Sequence, residues 1–182
     1  MSKIILVTGG ARSGKSSFAQ SLLENKEGVL YIATSVAFDD EMKDRVKKHK
    51  ESRPSSWRTV ECFKDMDIHL KDVEEKVMIL DCITIMVTNL MFHYELEWED
   101  LGMERINEIE NLIADEVGKL LKIAREKNVY LVVVTNELGM GVVPGNKLTR
   151  VYRDIAGRMN QMIAAEADEV YLAVCGIPLK IK

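Results

Sequence analysis

Apolar residues along the chain fall into short continuous runs separated by two-faced, charged stretches. "KIILVT" (3–8), "VLYIA" (29–33), "VMIL" (77–80), "VYLVVVT" (129–135) and "VYLAV" (170–174) are apolar nearly throughout. Runs of this length and β-branched content predict buried strands. Between them, apolar positions recur every three or four residues. Met103, Ile106, Ile109, Leu112, Ile113, Val117, Leu120 and Leu121 predict one long helix over 103–126, its other face carrying Glu, Lys and Asp. Leu148, Val151, Ile155, Met159 and Met162 predict another over 147–165. Residues 15–24 and the charged stretch 39–51 predict two more, and Pro54 limits the second. Strands that are apolar on both faces and alternate with helices imply an α/β fold, a mostly parallel sheet covered on both sides. The ending "VYLAVCGIPLKIK" predicts a strand, a turn at 176–178 and a short final strand running antiparallel at a sheet edge.

The chain's 182 residues suit one domain, residues 1–182, with a core of ordinary size. The formal net charge of -4 argues against a broad nucleic-acid surface. Tyr31, Trp57, Phe92 and Trp98 do not interleave with a basic patch, so no base-stacking platform is expected. Cys62, Cys82 and Cys175 are too far apart for a metal or redox pair and read as free thiols. No apolar run reaches 18 residues, so no membrane span is expected. The opening "MSKIILVTGG" is too short for a signal peptide, which makes the cytoplasm the expected compartment. Met86, Leu90, Met91 and Phe92 form an apolar run that suits packing between subunits. His69 and His93 have no partners at metal-ligand spacing and read as structural.

The strongest chemical signal is "GGARSGKS", residues 9–16, which contains G-x-x-x-x-G-K-S between an apolar strand and a helix. Gly9, Gly10 and Gly14, with Ala11, Arg12 and Ser13 between them, let the backbone turn its N–H groups inward onto phosphate. Lys15 is placed to reach the β- and γ-phosphates, and Ser16 to hold Mg²⁺ by its hydroxyl. Asp81 follows "VMIL", at the strand end where parallel sheets bind ligands. It is a candidate for the metal, directly or through water; a helix-capping aspartate is the plainer alternative. Thr135, Asn136 and Glu137 leave a third strand at the same rim, and Glu137 is a candidate for orienting a substrate or a metal-bound water. No N-K-x-D guanine signature accompanies the loop, so a metabolite kinase suits the chain better than a switch GTPase.

One histidine stands in a knot of cations. In "DRVKKHKESRP", Arg45, His49 and Arg53 repeat at i, i+4. Neighbouring cations keep an imidazole neutral and also hold phosphate oxygens. A neutral imidazole there can attack an α-phosphorus and form a nucleotidyl–histidine. A solvated histidine on a basic helix is the competing reading.

Taken together, "LVTGGARSGKS", "LYIATS", "DDEM…R…H…RP..W.T.E", "TNE.G.G.VP.N" and "RD..GR.NQ…A..ADEVY" resemble the bifunctional adenosylcobinamide kinase / adenosylcobinamide-phosphate guanylyltransferase family of cobalamin biosynthesis, from Ile5 to Lys182. The resemblance implies a P-loop NTPase sheet of the recombinase-type ATPase kind and a homotrimer. It implies phosphorylation of adenosylcobinamide by ATP or GTP, then transfer of GMP from GTP to adenosylcobinamide phosphate through a guanylyl-histidine. The histidine before "K..RP" corresponds to His49, with Lys48 standing where another histidine is found in relatives. Nucleotide contacts are implied at residues 9–16, at Thr34, Ser35 and Val36, at Glu51, Ser52, Arg53 and Pro54, and at Glu61 and Asp81. A plain P-loop metabolite kinase and a non-catalytic nucleotide-binding subunit are the alternatives.

Overall fold

The computed structural model describes residues 2–35, 54–94 and 96–182. The expected helix over 39–51, and with it Val36, His49, Glu51, Ser52 and Arg53, lies outside the described residues. Among the described residues seven strands form one sheet: β1 (Lys3–Gly9), β2 (Val29–Ala33), β3 (Arg58–Glu61), β4 (Val77–Asp81), β5 (Tyr130–Val134), β6 (Glu169–Val174) and β7 (Ile177–Lys180). The described helices are α1 (Lys15–Ser21), α2 (Met66–His69), α3 (Ile83–Phe92), α4 (Met103–Glu126) and α5 (Lys147–Glu166). The strand order is β3-β2-β4-β5-β1-β6-β7. All neighbours pair parallel except β6 and β7, which are antiparallel, as the ending of the sequence predicts. Strand β5 lies between the phosphate-loop strand β1 and the strand that ends at Asp81.

Alternation along the strands splits the core in two. Ile5, Val7, Tyr31, Ile79, Val132 and Val134 face α1, which contributes Ala19. Ile4, Leu6, Leu30, Ile32, Leu80 and Val133 face α3, α4 and α5. Helix α4 has the expected limits because its apolar stripe is long and unbroken: Ile106, Ile109, Ile113, Val117, Leu120 and Leu121 are all buried. Ile113 is 0% exposed, and truncating a side chain of this kind costs about 2–5 kcal/mol. Asn146 caps α5, its side-chain oxygen accepting from the Thr149 N–H at 2.7 Å.

Two expectations change, and two elements, β3 and α2, are added. Helix α1 is shorter than 15–24, because residues beyond Ser21 continue as tighter turns, with Leu23 N–H donating to the Gln20 carbonyl at 2.8 Å. Strand β3 and helix α2 carry too few apolar residues to stand out in the sequence. The run at 86–92 is α3, and Met86, Leu90 and Met91 are buried in this chain's own core rather than offered to another subunit; Phe92 is exposed.

Candidate active site

Because β1 to β6 run parallel, their C-terminal ends share one edge, and the described sequence-predicted residues other than Pro54, which precedes β3, lie along it. Strand β1 ends at Gly9 and the chain turns through Gly10–Gly14 into α1. Gly14 has φ 87°, a left-handed conformation that glycine adopts at no steric cost. A Cβ added there would lie 2.9 Å from Cα of Gly176. The β6–β7 turn is therefore pressed against the loop, and Gly176 N–H donates to the Ser13 carbonyl at 2.9 Å.

Lys15 is buried, and its Nζ donates to the Gly10 carbonyl at 3.0 Å. Burial pulls its pKa below the usual lysine range, while Cys82 and Asp81 push the other way. An ammonium sheltered from water favours an anion beside it. The Ser13 hydroxyl is buried in the same loop without a hydrogen-bond partner, a polar atom that a bound phosphate would satisfy. Gly10, Ala11 and Arg12 are exposed along the loop, and Ser16 is half-buried at the start of α1.

Asp81 is half-buried at the end of β4, where the Tyr31 hydroxyl donates to its Oδ2 at 2.9 Å. Hydroxyl and carboxylate oxygens such as those of Ser16 and Asp81 are the hard donors Mg²⁺ prefers, the rest of its shell being water and phosphate. Among the described residues no group of three or more His, Cys, Asp or Glu is placed to hold a metal by itself. The donor set therefore fits a metal brought in with nucleotide.

Thr34 sits differently from a ligand contact. Its side chain is fully buried, and its hydroxyl donates to the Cys82 carbonyl at 2.8 Å while accepting from Cys82 N–H at 2.9 Å. That hydroxyl braces β2 against β4 and is not offered to a ligand; Ser35, next along, is half-buried. Glu61 ends β3, four strands from β1, which is roughly 19 Å at ~4.8 Å per strand. Pro54 is exposed ahead of β3. So the structure brings residues 9–16 and Asp81 together and sets Glu61 and Pro54 towards the far edge.

Sequence reasoning missed the polar scaffold behind this edge. Asn136 Nδ2 donates to Thr84 Oγ1 at 2.6 Å, and Asn160 Nδ2 donates to the Asn136 carbonyl at 3.1 Å. The Thr135 hydroxyl donates to Asn160 Oδ1 at 2.7 Å, and the Tyr152 hydroxyl to the Thr84 carbonyl at 3.2 Å. Asn89 Nδ2 holds the Thr34 carbonyl at 2.6 Å. These bonds lock the tips of β2, β4 and β5 to α3 and α5. The sequence offered only the polar triplet Thr135–Glu137 as a sign of them. Cys82, buried in the network, has its thiol pKa pushed up to about 11, first by burial and then by Asp81.

A glycine-rich phosphate loop leaving an interior strand of a parallel sheet, with an inward lysine and a carboxylate two strands away, defines a P-loop nucleotide-binding enzyme. The family model described as "Cobinamide kinase / cobinamide phosphate guanyltransferase" matches residues 5–181, and the chain belongs to that family. It is 48% identical to the bifunctional adenosylcobalamin biosynthesis protein CobU of Salmonella typhimurium, over 98% of this chain and 99% of the relative. It is 36% identical to the bifunctional adenosylcobalamin biosynthesis protein CobP of Pseudomonas aeruginosa, over 97% and 96% of the two chains. Among solved structures it is similar to a KaiC-like protein of Pyrococcus horikoshii OT3, with a TM-score of 0.48 and 17% identity, covering 93% of this chain and 70% of that one.

Proposed function

We propose that this chain is a bifunctional enzyme that phosphorylates adenosylcobinamide and then caps the product with GMP through a histidine intermediate. In the first step the aminopropanol hydroxyl oxygen of adenosylcobinamide attacks the γ-phosphorus of ATP or GTP. The bond from that phosphorus to the bridging oxygen breaks, the nucleoside diphosphate leaves and the hydroxyl gives up its proton. In the second, an imidazole nitrogen of His49 attacks the α-phosphorus of GTP and pyrophosphate leaves. An oxygen of adenosylcobinamide phosphate then attacks the same phosphorus, the P–N bond breaks, and adenosylcobinamide-GDP is released with His49 restored.

The observation that carries the reading is the phosphate cradle itself: buried Lys15, the orphaned Ser13 hydroxyl and the glycine-shaped loop, in a chain of this family. Residues 9–16 bind the phosphates. Lys15 swings from the Gly10 carbonyl to β- and γ-oxygens, where it offsets charge in both transfers. Ser16 and Asp81 would hold Mg²⁺, which when bound neutralises phosphate charge. Ser35, Val36, Glu51, Ser52, Arg53, Pro54 and Glu61 complete the nucleotide contacts, and Thr34 sets the position of Ser35. The enzyme works in the cytoplasm as a homotrimer. Among the described residues no helix is long and apolar enough to cross a membrane.

The test is incubation with α-labelled GTP, denaturation, and location of the label. Acid-labile label on His49, lost in His49→Ala, is the expected result. Pyrophosphate release from GTP at wild-type rate in His49→Ala would falsify the intermediate.

A further inference from the structure

Beside the phosphate loop, on the sheet face opposite α1, lies a cavity of about 550 Å³ between β1, α5 and the loop after β5. Thr8, Glu137, Arg153, Gly157 and Gln161 are among its walls. Its size is that of a ligand pocket. Three features are unexplained by the fold. Gly157 stands in the middle of the 20-residue helix α5, where glycine weakens a helix. Nothing lies within 4 Å of where its Cβ would be, so no packing of this chain requires a glycine there. The Thr8 hydroxyl is buried without a hydrogen-bond partner. Arg153, 19% exposed, has its carboxylate contact with its sequence neighbour Asp154, at 3.8 Å.

The cavity continues onto an apolar shelf. Pairing of Leu172 with Leu179 and Val174 with Ile177 puts these four side chains on one face of the β6–β7 hairpin. Ile177 is 70% exposed and Leu179 58%, and Ile181, 58% exposed, also lines the cavity. The pocket is also tied to the phosphate loop. Thr8 precedes Gly9, and Glu137 N–H donates to the Gly9 carbonyl at 3.0 Å.

We infer that this pocket and shelf receive one edge of the corrinoid acceptor, an assignment that rests on the kinase and guanylyltransferase reading above. A corrinoid is a flat macrocycle with apolar, methyl-bearing faces and a rim of primary amides. Each amide needs an acceptor for its N–H groups and a donor for its carbonyl. Glu137 supplies acceptors, Arg153 and Thr8 supply donors, Gln161 supplies both, and the aliphatic shelf suits the ring face. Gly157 keeps the pocket open. Its place one residue from the phosphate loop brings the acceptor to the nucleotide, which a transfer reaction requires.

Gly157→Leu fills the space while favouring the helix, and Thr8→Val removes the orphaned hydroxyl at constant shape. Turnover of adenosylcobinamide, its equilibrium binding read from the corrinoid's visible absorbance, GTP affinity and light-scattering mass are measured for each. The expected result is a rise of about tenfold or more in KM and Kd for adenosylcobinamide in both variants, with GTP affinity and mass as in wild type. Unaltered corrinoid binding in both variants would overturn the assignment. So would a change of mass in Gly157→Leu, because it would make this face a contact between copies of the chain. A wild-type protein that takes the histidine label but never binds corrinoid overturns the pocket alone. One that neither takes label nor turns over corrinoid overturns the enzymatic reading, and the pocket with it.

Discussion

Replacing Gly14 with alanine tests whether the β6–β7 turn braces the phosphate loop. Two costs add at this position. At φ 87° a Cβ meets its own backbone, which costs about 1–2 kcal/mol. The same Cβ lies 2.9 Å from Cα of Gly176, and backbone cannot move aside as a side-chain tip can; overpacking of this kind costs about 1–3 kcal/mol. Together they destabilise the protein by about 2–5 kcal/mol. At about 2–4 °C per kcal/mol for a domain of this size, the melting temperature should fall on the order of 10 °C. Gly10→Ala is the control, because the same methyl in the same loop would meet nothing within 4 Å and the residue has no left-handed φ. Its melting temperature should stay near wild type. Gly176→Ala carries the backbone cost alone, at φ 81° with open space around the Cβ, and should fall between them. Thermal unfolding by circular dichroism ranks the three, and titration with a fluorescent guanine nucleotide should show Gly14→Ala binding at least about tenfold weaker than Gly10→Ala. If Gly14→Ala and Gly10→Ala melt together, the turn does not bear on the loop and the reasoning fails.

Lys15→Met removes a buried charge whose pKa burial already lowers, so the nucleotide-free protein should gain about 1 kcal/mol while nucleotide binding collapses; equal loss of both in calorimetry and titration would contradict a cradle awaiting an anion. Glu169 is held at a pKa of about 2, below its ordinary 4.5, by Lys3 first, then Lys180 and Tyr171. A carboxylate with a lowered pKa stabilises fully above its unfolded value and loses that contribution as pH falls, here between about 4.5 and 2. Glu169→Gln should therefore flatten the acid limb of a stability–pH curve and leave fewer salt-sensitive contacts. Of the three thiols, Cys62 and Cys82 are buried with pKa values pushed up to about 11, and Cys175 is exposed on the turn that packs against the phosphate loop. One thiol per chain should react quickly with a disulfide reagent, more slowly with nucleotide bound, and Cys175→Ser should abolish that phase.

The parts of the fold legible in the sequence are those whose burial is continuous. Strands β1, β2, β4, β5 and β6 sit inside the sheet, so both their faces are apolar and they read as runs. Helix α4 covers the sheet along its whole length, so its stripe never breaks. Strand β3 did not show because it is an edge strand: Arg58, Thr59 and Glu61 are exposed, and a charged edge resists pairing with other chains. The short α2 is held from outside, its first N–H, that of Met66, donating to Glu116 Oε2 of α4 at 3.1 Å. A cap supplied fifty residues away leaves no local pattern. Helix α3 was half seen: its apolar run stood out, but burial on nearly every face made it look like a surface for a partner. The phosphate loop was legible because its chemistry demands fixed residues at fixed spacing. The bonds among Thr84, Asn136, Tyr152 and Asn160 were not, since buried asparagines and threonines are recognised only by the partners folding gives them.

That hidden network bears on how one edge serves two transfers. The scaffold joins the tips of β2, β4 and β5 by direct side-chain hydrogen bonds, so the rim behind the phosphates has little freedom to rearrange. The loop itself is held by two further contacts, Gly176 N–H on the Ser13 carbonyl and Glu137 N–H on the Gly9 carbonyl. Each contact belongs to an element that also borders the cavity or its shelf. Whatever fills the cavity therefore acts on the two segments that hold the phosphate loop in shape, and nucleotide in the loop acts on the walls of the cavity. If either ligand tightens those contacts, linkage requires the factor by which it raises the other's affinity to be returned in equal measure. A phosphate cradle joined to the proposed acceptor pocket through two backbone hydrogen bonds would, under such coupling, hold nucleotide most firmly when the acceptor is also bound, which favours the acceptor over water as the phosphoryl receiver.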